Sequence, residues 1–109
     1  MINITIHKTK DIIDGFIVKG HSGYSVAGSD IICASVSILS YTALNSMNVV
    51  AGISESDMIY DVEEETGFLK LKTLKYNDKT DVIYKNFLVG IQLLLEDYSD
   101  YITLKFEEV

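Results

Sequence analysis

The chain has 109 residues, and nine Lys, no Arg and sixteen acidic residues give it a net charge of −7. Area scaling sets roughly 6,000 Å² of folded surface against about 17,700 Å² unfolded, enough burial for one domain spanning residues 1–109. A composition 48% hydrophobic and 23% charged excludes disorder as the main state, and the acidic balance argues against nucleic acid, which needs a basic face.

In chain order, residues 2–7 alternate Ile2, Ile4, Ile6 with Asn3, Thr5, His7, the period of a strand with one buried face. This opening lacks a charged segment followed by an apolar one, so no signal peptide is expected. Either Lys8 to Asp11 or Asp14-Gly15 makes a turn, and Phe16-Ile17-Val18 supplies a second strand ending near Gly20, closing a hairpin. Residues 20–29 hold three glycines and three serines, which predicts a mobile loop.

Ser29 then reads as the N-cap of a helix running to about Val50, with Asp30 in its first turn and Gly52 as a stop. Residues 57–64 and 67–76 form a second hairpin through Glu65-Thr66-Gly67. Thr80-Asp81 cap a second helix to about Tyr98, and residues 101–106 alternate as a final strand. The order β-β-α-β-β-α-β favours an α+β fold with a mostly antiparallel sheet and two helices. The second helix is apolar nearly all round, so a homodimer is expected to cover what one sheet face cannot. No stretch reaches the length of a membrane span, and no membrane partner is expected.

Cys33, the only cysteine, cannot form an internal disulfide and fits a reducing, cytoplasmic setting. At the start of a helix, free N–H groups and the helix dipole favour thiolate over thiol, although a cysteine beside Ile31 and Ile32 also suits a small buried hydrophobe. His21 follows the second strand, twelve residues earlier, across a loop able to fold back on the helix start. An imidazole there can take the thiol proton and deliver it to a leaving amine. Asp30 either caps the helix or orients His21 as a third member, and Ser37 lies one turn beyond Cys33 on the same face. His7 belongs to a solvated strand face. The run Asp61-Val62-Glu63-Glu64-Glu65 is a solvated edge paired loosely with Lys70, Lys72 and Lys75, and no metal or cofactor is expected.

The segment Gly20-His21-Ser22, a glycine-rich loop, then Asp30-Ile31-Ile32-Cys33-Ala34-Ser35-Val36-Ser37 resembles the signature of the Prp ribosomal-processing cysteine proteases, small bacterial α+β homodimers. The resemblance spans nearly the whole chain. It implies His21 and Cys33 as the catalytic pair, Asp30 and Ser37 as their companions, and Gly20, Ser22, Gly23 and Gly28 in the substrate loop. Ser22 departs from the alanine usual in the family, which bears on the hydrogen bonding of His21. The implied substrate is the N-terminal extension of ribosomal protein twenty-seven of the large subunit, cut after a pair of phenylalanines, with Met47, Tyr24, Tyr41 or Phe87 as receiving side chains. Helix-start N–H groups would hold the oxyanion, and the loop would close over substrate. Against this stand a non-catalytic dimeric interaction module with a buried cysteine and, third, a thiol redox sensor without a resolving cysteine.

Overall fold

The computed structural model describes residues 1–24 and 30–108. Its strands are β1 (Ile2–Thr9), β2 (Ile12–Lys19), β3 (Met58–Glu63), β4 (Phe68–Thr73) and β5 (Ile102–Glu108). Helix α1 covers Ile31–Val49 and α2 covers Asp78–Tyr98, with a single 3₁₀ turn at Glu55–Asp57 before β3. The five strands form one sheet in the order β3-β4-β2-β1-β5. Every pairing is antiparallel except that of β1 with β5. This is the expected α+β arrangement, in the expected order.

The alternation in β1 does what its period requires. Ile2, Ile4 and Ile6 are buried, and Ile4 and Ile6 stand in register with Val18 and Phe16 of β2 and, beyond them, Leu69 and Leu71 of β4. Both helices pack on this face, α1 through Ile32, Val36, Ala43, Leu44 and Met47, α2 through Tyr84, Phe87 and Ile91. Phe16 stacks on Phe87 with ring centroids 4.0 Å apart and meets Tyr84 edge-on at 6.2 Å. Each such side chain contributes about 1.5–3 kcal/mol through burial. The buried Tyr84 hydroxyl lies 2.9 Å from Thr73 Oγ1 and donates to the Asp14 carbonyl at 3.0 Å, so its polar end is satisfied. Burial pushes its phenol well above the ordinary tyrosine range.

The first hairpin turns at Lys10-Asp11, within one of the two expected stretches, while Asp14-Gly15 lie inside β2. Three local expectations change. Helix α1 is capped by Asp30, one residue later than Ser29, which lies outside the described residues, as does Gly28. Helix α2 starts earlier than Thr80-Asp81: Asn77 accepts from the N–H groups of Lys79 and Thr80 while Thr80 Oγ1 accepts from the Asn77 N–H, a reciprocal capping box. Strand β4 stops at Thr73: the Leu74 N–H still donates to the Asp57 carbonyl, its in-register partner, but Asp57 already belongs to the 3₁₀ turn before β3. His7 is not simply solvated either; its Nδ1 lies 2.6 Å from Asp14 Oδ1, and Thr9 donates to the other carboxylate oxygen.

Candidate active site

The end of β2, the start of α1 and the β3–β4 turn converge on one cavity of about 290 Å³. Its apolar walls include Ile2, Val18, Val36, Phe68 and Leu69, and its polar lining includes His21, Cys33, Ser37, Tyr41 and Glu64. One histidine and one cysteine, twelve residues apart, thus line the same space. Ser37, exposed and one helical turn from Cys33, shares that wall.

Asp30 places the nucleophile candidate. Its Oδ1 accepts from the backbone N–H groups of Ile32 and Cys33, both at 3.0 Å, closing the first turn of α1 so that Cys33 faces the cavity half-buried. Its Oδ2 accepts from the Ser22 hydroxyl, and Ser22 is buried. Partial burial raises the Asp30 carboxyl, but the Ser22 hydroxyl, the Cys33 N–H and thiol and the Ile32 N–H outweigh it and hold the group below its ordinary value. The Ser22 N–H in turn donates to Cys33 Sγ at 3.3 Å.

Two expectations about hydrogen bonding are corrected here. Ser22 bonds to Asp30 rather than to His21, because its side chain turns toward the helix cap. The helix-start N–H groups of Ile32 and Cys33 are already occupied by the Asp30 carboxylate, so they are not open donors for an oxyanion. Between its two readings, Asp30 takes the capping one: both of its oxygens are engaged by groups other than the imidazole. His21 Nε2 instead lies 3.1 Å from the Glu65 carbonyl.

The β3–β4 turn is the part that sequence reasoning missed. Glu63, Glu64, Gly67 and Phe68 line the cavity, whereas the acidic run was expected to be only a solvated edge. Tyr41 donates to Glu64 Oε1 at 3.2 Å, and partial burial together with that carboxylate raises the Tyr41 phenol. Of the side chains considered for receiving an aromatic pair, Tyr41 lies on the cavity, Met47 and Phe87 are fully packed in the core, and Tyr24 is exposed against Tyr98 and Tyr101. Of the lysines, Lys70 stands opposite Asp61 in register and Lys75 reaches Asp57 at 3.9 Å. No described helix is long and apolar enough to cross a membrane.

Comparison with known proteins adds five findings. The chain is 24% identical over 107 residues to the ribosomal processing cysteine protease Prp of Staphylococcus aureus, covering 97% of each. It is 26% identical over 106 residues to the Bacillus subtilis protein of the same name, covering 92% of each. Among solved structures, SMU.848 from Streptococcus mutans superimposes with a TM-score of 0.81 at 28% identity, covering 100% of this chain and 99% of that one. The S. aureus Prp structure with a covalently linked product peptide gives 0.86 at 23% identity, covering 98% and 100%, and establishes likeness of fold. The family model described as cysteine protease Prp matches residues 1–103, and the chain therefore belongs to the Prp family of cysteine proteases.

Proposed function

We propose that this protease cuts through a Cys33–His21 dyad and removes the N-terminal extension of ribosomal protein twenty-seven of the large subunit, cleaving after an aromatic pair. The observation carrying this reading is that Cys33 and His21 line one largely apolar cavity, with a backbone N–H already on the sulfur. Cys33 Sγ attacks the scissile carbonyl carbon, the C–N bond breaks, and His21 gives its proton to the leaving amine. Water then attacks the thioester, His21 takes a proton from it, and the acid product leaves with the sulfur restored. The Ser22 N–H, beside Sγ, is placed to follow the negative charge as it moves from sulfur to oxyanion. Asp30 holds Cys33 and Ser22 in place, and Ser37 shapes the wall. Phe68, Leu69 and Val36 suit an aromatic side chain.

The charge of −7 complements a basic ribosomal protein, and such a substrate places the enzyme in the cytoplasm. Solved S. aureus Prp structures hold a substrate peptide and a covalently linked product peptide, which supports a peptide occupant here. A homodimer is part of the reading. On α2 the exposed Val82, Val89 and Leu93 lie opposite the buried Tyr84, Phe87 and Ile91, and Ile38 of α1 is exposed as well.

Alkylation at neutral pH tests the dyad. The expected outcome is rapid modification of Cys33 that slows at least tenfold or so in a His21→Ala variant and is blocked by a peptide carrying two phenylalanines before a small residue. An inert Cys33 in the folded protein would instead support the non-catalytic module.

A further inference from the structure

We propose that the β3–β4 turn is the positioning element for His21: the Glu65 carbonyl fixes the imidazole tautomer, and Gly67 lets the turn lie against the histidine. The inference rests on the reading of His21 as the proton carrier. An imidazole on an exposed segment needs a partner to select one ring orientation, and a carboxylate supplies it in a triad. Here Asp30 is committed to Ser22, Ile32 and Cys33. The Glu65 carbonyl, 3.1 Å from Nε2, stands in that place. A carbonyl oxygen only accepts, so Nε2 carries the hydrogen and Nδ1 is left bare to take a proton.

The turn is also fitted to the segment that bears His21. The Gly20 N–H donates to the Gly67 carbonyl at 3.2 Å, across the gap between the end of β2 and the hairpin. Gly67 takes φ +68, and a Cβ there would collide with the Gly20 carbonyl and lie 3.2 Å from His21 Cε1. Only a residue without a side chain brings the Glu65 carbonyl within reach of the ring. Gly52 provides a matched comparison, since its φ is +70 but a Cβ on it would have no neighbour within 4 Å.

The test reads the His21 tautomer by ¹⁵N NMR at about pH 8.5, above the ordinary imidazole titration, with a His7→Gln variant assigning the two rings. It also measures kcat and KM on the aromatic-pair peptide. The wild type should show His21 protonated at Nε2. Gly67→Ala and Gly67→Asn should lose that bias and lower kcat by about 10²-fold, with KM moving less than about threefold. Asn tolerates the left-handed backbone but keeps the collision, so it separates crowding from turn strain, and Gly52→Ala should leave both readouts unchanged. Wild-type His21 protonated at Nδ1, or a Gly67→Asn variant with native tautomer and kcat, would overturn the proposal. Should the Gly67 variants not fold, the wild-type tautomer alone decides. Full cleavage by His21→Ala would sink the dyad itself, an outcome distinct from any tautomer result.

Discussion

Asp30 joins three parts of the site through one carboxylate: it closes the first turn of α1, accepts from Ser22, and thereby sets the Ser22 N–H on the Cys33 sulfur. Replacing it with Ala should cost about 1 kcal/mol of stability at neutral pH, the usual worth of an N-cap, measured by urea denaturation. The pH sign follows from its lowered carboxyl. A group held below its ordinary value of 3.8 stabilises the fold above that value, and the contribution is lost as pH falls through the native one. The stability gap between wild type and Asp30→Ala should therefore shrink as the pH drops below about 4; a gap that widens there would contradict the role. At this scale the sequence identified which residue types meet but not which atoms. Ser22, His21 and Asp30 were readable as neighbours, whereas the choice of Asp30 over His21 as the partner of Ser22 depends on side-chain direction, which spacing does not encode.

Both helices and strands β1, β2 and β4 followed their periods because each buries one face, whereas β3 and the end of β5 leave Tyr60, Val62 and Phe106 exposed; the other departures sit at element ends. The start of α2 was read at Thr80-Asp81, yet Asn77 wins because it caps two N–H groups and Thr80, three residues on, returns the bond. The first turn carries a local conflict: Lys10 and Asp11 adopt φ of 50° and 67°, as a two-residue hairpin turn requires, though neither residue favours that region as Gly or Asn does. The double variant Lys10→Asn, Asp11→Gly should raise stability by about 1 kcal/mol, seen as a higher Tm with unchanged cleavage. A lower Tm would show that the native side chains contribute more than the backbone relief. The turn carrying Glu65 and Gly67 was visible as a hairpin, but its place beside the cavity lined by His21 and Cys33 was not. The contact to His21 is made by a main-chain carbonyl 44 residues away, which every residue type carries equally.

For the molecule as a whole, the uncovered apolar surface is the outer side of α2. The sequence read this helix as apolar nearly all round; polar residues such as Lys85, Asn86 and Gln92 interrupt it, yet Val82, Val89 and Leu93 remain exposed. Charging this stripe with Val89→Glu and Leu93→Glu should convert a dimer into monomers in sedimentation velocity, with little loss of fold because both side chains already face solvent in one copy. A wild-type chain that sediments as a monomer would contradict the dimer. The chemistry is most directly tested by the rate at which wild type and Cys33→Ala cleave a peptide bearing two phenylalanines before a small residue. Cleavage after the second phenylalanine by the wild type, with none above background from a Cys33→Ala chain that still binds the peptide, is the predicted result; equal rates from the two proteins would contradict it.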